Sequence, residues 1–293
     1  MLNFVNSQQS KKEKTELVLM NICNLPPIPK VLKEALDLLN DENTPITSVS
    51  KVVSKDQGLV TKILTIANSP MYGLQRRVTT IDFAIIVLGF REVKNIVTVL
   101  SLVEAFINKT DKYLDQKDFW LHSYYTGTAA KKLAEDLDFQ NSGEAFIAGF
   151  LHDMGITVIH RYFHSNFIAI LDLVQNKGFN FRDAEFEVLG VTHEQIGQFL
   201  MGKWNFPEPL CDAILNHHNP SMSSKGKVLA SMIHLADYMT NIFTSGNSFW
   251  DNDLKLDEKI ISILGLDDEP DMNTFIESHA ELFRNQIQSV TIF

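Results

Sequence analysis

Apolar residues recur three and four positions apart along nearly the whole chain, and that spacing leaves little room for anything but helices. Val93, Ile96, Val97, Leu100, Val103 and Ile107 fall on one stripe of a 3.6-residue period. Val31, Leu32, Ala35, Leu36 and Leu39 form a second, Ile46, Val49 and Val53 a third, and Val60, Ile63, Leu64 and Ala67 a fourth. Sustained period-two alternation, the mark of a half-buried strand, is missing. With 293 residues, 45% of them hydrophobic, the chain has ample material for a buried core. The expected fold class is all-α, with two packed helical sub-domains.

Helix boundaries are also written in the sequence. Leu25-Pro26-Pro27-Ile28-Pro29 should be an extended entry to the next helix, because proline lacks the N–H and restrains its predecessor. Asn68-Ser69-Pro70 should end another helix. Thr79 or Thr80 can cap a helix beginning near Ile81 and running through Gly89. The polar stretch 108–117 is the best internal boundary, and residues 244–248 (Thr-Ser-Gly-Asn-Ser) form a second break. The expected division is a lead segment at 1–19, a core at 20–243 split into 20–110 and 116–243, and an acidic extension at 244–293. That extension should hold helices near 258–264 and 274–287.

The net charge is −10, with a local cluster at Asp267, Asp268, Glu269 and Asp271. A field of that sign opposes binding to phosphate backbones, so nucleic acid is not an expected partner. Cys23 and Cys211 each lie in an apolar, helix-like setting and read as reduced core thiols, which fits the cytoplasm. Residues 1–14 break any secretory apolar stretch with Ser, Gln and Lys. The longest apolar run, 84–90, is far short of the roughly 18 residues of a membrane span. No membrane insertion is expected.

The chemistry is concentrated in the second half. Seven of the nine histidines lie between positions 122 and 218, and five of them carry the pattern: His122, His152, His193 and the pair His217-His218, with Asp153 directly after His152 and Asp237 further on. An adjacent His-Asp pair offers imidazole nitrogen and carboxylate oxygen together, and side chains from neighbouring helices can complete a divalent-metal shell. Such a centre lowers the pKa of bound water and orients a phosphate. On a helix, His217 and His218 would point about 100° apart, so only one of them should face a shared site. His234 reads as a packing residue, and Asp237 as the closing carboxylate.

Phe119-Trp120-Leu121-His122-Ser123, Phe150-Leu151-His152-Asp153-Met154-Gly155, Thr192-His193-Glu194-Gln195-Ile196-Gly197 and Asn216-His217-His218 resemble the HD superfamily, and most closely its HDOD (HD-related output domain) branch. Leu25–Pro29, Ala67-Asn68-Ser69-Pro70-Met71-Tyr72 and Trp204-Asn205-Phe206-Pro207 extend the resemblance over roughly residues 20–243. It implies an HD-like helical bundle in the second half, a role in bacterial signal transduction through protein partners, and no general catalytic activity. It also implies metal candidates at His122, His152, Asp153 and Asp237, with His193, His217 and His218 orienting metal or ligand. The metal would be divalent: Fe, Mn, Mg, Zn or Ni.

Two departures from the hydrolytic HD-GYP pattern weigh against turnover. Ile156 stands where that pattern has a lysine after His-Asp-x-Gly, so a cation that would pair with substrate phosphate is absent there. Asn219-Pro220-Ser221 follows the His-His pair, with no Gly-Tyr-Pro nearby. Lys131, Lys132, Arg161 and Lys203 are not spaced to converge on one phosphate. Three functions therefore stand in order of expectation: a non-catalytic regulatory domain, a metal-dependent phosphohydrolase or phosphodiesterase, and a nucleotide-binding sensor without turnover.

Overall fold

The computed structural model describes residues 2–22, 30–41, 43–107, 110–244, 248–266 and 272–289. The expected extended entry at 25–29, Cys23, the acidic cluster at 267–271 and parts of both breaks (108–109, 245–247) lie outside the described residues. Among the described residues every regular element is a helix.

The chain forms two compact units, one of residues 1–24 and 108–271, the other of residues 25–107 and 272–293. Each unit combines stretches that are separated in sequence. The lead segment is a full helix, α1 (Leu2–Ile22), that belongs with the second half: Thr15 donates its hydroxyl to the Leu189 carbonyl at 2.8 Å. The C-terminal helices belong with the first half instead.

That first-half unit contains α2 (Lys30–Leu39), α3 (Ile46–Val53), α4 (Gln57–Ala67), α5 (Ile81–Leu88) and α6 (Phe90–Phe106). The stripes read from the sequence are its core: Leu32, Ala35, Val49, Val53, Ile63, Ala67, Val93, Ile96, Val97, Leu100 and Val103 are all buried. Each buried branched side chain of this kind contributes about 1.5–3 kcal/mol. Ile107 lies beyond the end of α6 and is exposed, because the helix stops one residue earlier. As expected, α4 ends at Ala67, and the Thr80 hydroxyl caps α5 by accepting from the Phe83 N–H. Gly89 is not inside that helix: at φ +85° it ends α5 and starts α6. A left-handed conformation of this kind suits glycine and breaks helical continuity.

The second-half unit contains α1 with α7 (Gln116–Asp136), α8 (Ser142–Leu151), α9 (Met154–Tyr162), α10 (His164–Lys177), α11 (Phe181–Leu189), α12 (His193–Lys203), α13 (Glu208–Leu215), α14 (Lys227–Phe243) and α15 (Lys259–Leu264). A short 3-10 turn, Phe249–Asp251, lies between the last two. The Asp115 carboxylate caps α7 by accepting from the N–H groups of Lys117 and Asp118. The core of this unit is aromatic, with Phe119, Trp120, Phe150, Phe167, Phe181 and Trp250 all buried. Cys211 is free and buried, and burial pushes its thiol above the ordinary value.

The single helix expected near 274–287 is two, α16 (Met272–Ser278) and α17 (Ala280–Ser289), separated at His279. None of the described helices is long and apolar enough to cross a membrane.

Candidate metal centre

The His-Asp pair occupies the junction between two helices rather than the middle of one. His152 directly follows α8, and Asp153 (φ −96°) starts α9. The His152 Nδ1 donates to the Gly149 carbonyl at 2.7 Å, which turns Nε2 inward. Gly155, two residues on, lies so close to α12 that a Cβ there would stand 2.1 Å from the His193 carbonyl oxygen. This contact brings the α12 N-terminus, and His193 with it, up to the pair.

Asp153 is the hub. Its Oδ2 lies 3.0 Å from His152 Nε2 and 3.4 Å from His122 Nε2, while its Oδ1 lies 3.4 Å from His193 Nε2 and 3.6 Å from His217 Nε2. His122, on α7, lies 3.2 Å from Asp237 Oδ1 of α14, and His152 lies 3.7 Å from the same oxygen. His218 Nε2 faces His193 Nε2 at 3.1 Å. The ligand-type atoms thus fall into two groups that share Asp153: His122, His152, Asp153 and Asp251 in one, Asp153, His193, His217 and His218 in the other. Within each group all the atoms lie within 4.8 Å of one another.

All seven residues expected from the sequence are brought together, but one detail differs. His217 and His218 both face the cluster, because α13 stops at Leu215 and the pair lies in the turn that follows, where helical spacing no longer applies. His234 stays outside: its Nδ1 donates to the His217 carbonyl and its Nε2 accepts from the Asp257 N–H.

The sequence reading missed five residues here. Asp251, from the 3-10 turn, joins one group. Trp250 beside it donates its indole N–H to Asp153 Oδ2 at 2.6 Å. Glu185 accepts from both the backbone N–H and the Nδ1–H of His193, at 3.0 and 2.9 Å. Glu194 receives Arg182 at 2.6 Å. Of these, only Glu194, directly after His193, lay in a motif already singled out.

The buried centre is strongly polarised. Burial works against a charged imidazole, yet the Asp153 and Asp237 carboxylates overcome it and hold His152 up at about 10. In the same way Glu185 and Glu194 raise His193 to about 9. Burial would raise Asp153 and Asp237, but His152 and His122 hold both well below the usual carboxylate range. Asp251 goes the other way: burial, then the charges of Asp153 and Asp237, push it well above its ordinary value. Burial, with His217 adjacent, drives His218 well below.

The side chains fit a divalent cation. Asp153 Oδ1, Asp237 Oδ2, both Asp251 oxygens and His217 Nε2 are buried without a hydrogen-bond partner, an arrangement that is costly unless a cation completes it. His152, His193 and His217 each engage Nδ1 with a carbonyl or carboxylate and present Nε2, as metal-binding histidines do. A further grouping, Asp111, His160 and His164, is accounted for as an ordinary network: Asp111 caps a turn through the Tyr113 and Leu114 N–H groups and accepts from His160 at 3.1 Å.

Helices that gather imidazoles and carboxylates around one His-Asp junction define an HD-type domain. The HDOD domain pattern matches residues 25–220, two thirds of the chain, and the protein belongs to the HDOD domain family. Asp237 and Asp251 lie beyond the matched stretch. An uncharacterized protein of Treponema pallidum (strain Nichols) is 25% identical over 255 residues, 86% of this chain and 48% of that protein, so the chain spans about half the length of this curated relative. Among solved structures, a Geobacter sulfurreducens HDOD domain protein of unknown function has a TM-score of 0.72 at 23% identity, covering 96% of this chain and 99% of its own. A Shewanella amazonensis protein that carries a phosphohydrolase name has a TM-score of 0.70 at 25% identity, covering 93% and 98%. A Marinobacter aquaeolei protein named for signal transduction has a TM-score of 0.69 at 22% identity, covering 96% and 64%.

Proposed function

We propose that the chain is a signalling module that holds a divalent metal in its His/Asp centre and acts on protein partners without hydrolysing a substrate. The observation that carries this reading is how completely the centre is enclosed. The side chains of His122, His152, Asp153, His193, His217, His218, Asp237 and Asp251 are at most 6% exposed, and Trp250 is bonded to the hub carboxylate. A phosphate ester has no approach to side chains so buried.

The cations also support it. Lys132 pairs with Asp136, Lys203 lies over the Phe199 ring and Arg161 over the Tyr162 ring. Arg182 adjoins the cluster, but it is held by Glu194. A bound metal would supply Lewis acidity and positive charge. The residues for holding it are His122, His152, Asp153 and Asp237, with His193, His217 and His218 beside them. Imidazole-rich sites of this composition favour iron, zinc or nickel, with manganese served by the carboxylates.

Protein purified without chelator should carry at least one such metal per chain by elemental analysis. It should turn over cyclic dinucleotides, cyclic mononucleotides and p-nitrophenyl phosphate far below about 1 per second, the lower end of typical enzymes. Turnover at an ordinary rate that disappears in D153N would establish the phosphohydrolase alternative instead. A thermal shift with a nucleotide but no product would favour the nucleotide-sensor reading.

A further inference from the structure

Asp251 is an acid in an unexpected place. The segment that carries it keeps Asp253 and Glu258 at the surface and Asp257 half-buried, whereas Asp251 is 3% exposed. Both of its oxygens lack a hydrogen-bond partner, and His218 Nε2 lies 3.5 Å away. The carboxylate lies within ligand-sharing distance of His122, His152 and Asp153. His122 and His152 already face Asp153 and Asp237, so Asp251 brings a further carboxyl to the cluster.

Its segment is tied to the centre at several points. Trp250 bonds Asp153 and packs its ring against His122, with centroids 5.6 Å apart. The Ser248 hydroxyl donates to the side-chain oxygen of Asn241, whose amide in turn donates to Asp237 Oδ1. The Asp257 N–H donates to His234, and Ile260 of α15 is fully buried. Residues 248–260 thus touch the surroundings of the centre through two side chains on the cluster and two fastenings behind it.

We propose that Asp251 is a metal ligand carried in by residues 248–266, and that this segment closes onto its unit as the centre takes up a divalent cation. The inference rests on the metal-holding reading above. It makes the segment after α14, beyond the family-matched stretch, the part of the protein that responds to metal. The cation is of the class that accepts mixed imidazole and carboxylate ligands.

The test uses the full chain, stripped of metal and titrated with Mn(II), following free Mn(II) by electron paramagnetic resonance. Wild type and D253N should bind alike, and D251N should bind at least tenfold more weakly. In parallel, Mn(II) should slow trypsin cleavage after the exposed Lys255 and Lys259 at least tenfold in wild type but not in D251N. If D251N binds Mn(II) like wild type, Asp251 is only sharing a proton with its neighbours and the inference is overturned while the metal-holding reading stands. If wild type takes up neither Mn(II) nor Fe(II) nor Zn(II), both are overturned. Should D251N fail to fold, the wild-type digest decides alone: cleavage unaffected by bound Mn(II) overturns the inference.

Discussion

Asp212, on α13, shows how a single side chain sets up the centre without belonging to it. Its Oδ2 accepts from the Ser223 hydroxyl and from the N–H groups of Ser224, Lys225 and Gly226, at 3.0, 2.8 and 2.9 Å for the three amides. That clasp fixes the loop leading into α14, the helix of Asp237. Burial alone would raise the carboxyl, but the Ser223 hydroxyl and the three amides hold it below its ordinary value. A carboxyl depressed on folding contributes stability that is complete above its unfolded value, near pH 4, and is lost as pH falls through the folded value. D212A should therefore cost about 2 kcal/mol in urea unfolding at pH 7, with the gap to wild type narrowing below about pH 4. Nothing in the spacing around Asp212 advertised this clasp, because it is made with one hydroxyl and three backbone amides eleven to fourteen positions away. His152-Asp153, by contrast, was legible from its motif alone. His217 and His218 were legible as residues but not in their geometry, since the end of α13 at Leu215 decides where both rings point.

At the level of elements, the junctions between helices matter more than the helices. The apolar stripes of α2, α3, α4 and α6 could be read directly, because helical periodicity reports which face is buried. Breaks were harder. Gly89 looked like a weak point inside one helix and is a boundary, a distinction that depends on φ rather than on residue type. The α9–α12 contact at Gly155 is a close approach of helices whose partner is the His193 backbone. A methyl group there cannot be relieved by a side-chain rotation. G155A should lower stability by about 2–3 kcal/mol. It should also weaken metal binding more than its effect on the melting temperature accounts for, measured by elemental analysis of the folded fraction, because it moves His193 away from Asp153. Asp251 and Trp250 escaped the sequence reading for a related reason: they arrive on a three-residue turn in a stretch read as an acidic extension.

For the molecule as a whole, the two units should answer differently to metal. Every member of both ligand groups around Asp153 lies in the unit of residues 1–24 and 108–271. A cation at a hundredfold excess over its dissociation constant stabilises the state that binds it by about 2.7 kcal/mol. For a unit of this size that is a rise of about 5–10 °C in melting temperature. Calorimetry with and without a chelator should show that shift in one transition and leave the transition of the other unit in place; a uniform shift, or none, would contradict the assignment of the centre to a single unit. The other unit has a different dependence, on time. Its core includes Ile276, Ala280 and Phe283 from α16 and α17, all buried, although the rest of it is complete by residue 107. On the ribosome, about 165 residues must be made between its two parts, and at roughly 5–20 residues per second that takes on the order of ten to thirty seconds. During that interval the earlier unit is translated but unsealed, so a nascent chain waits with part of its apolar core open until its last helices emerge.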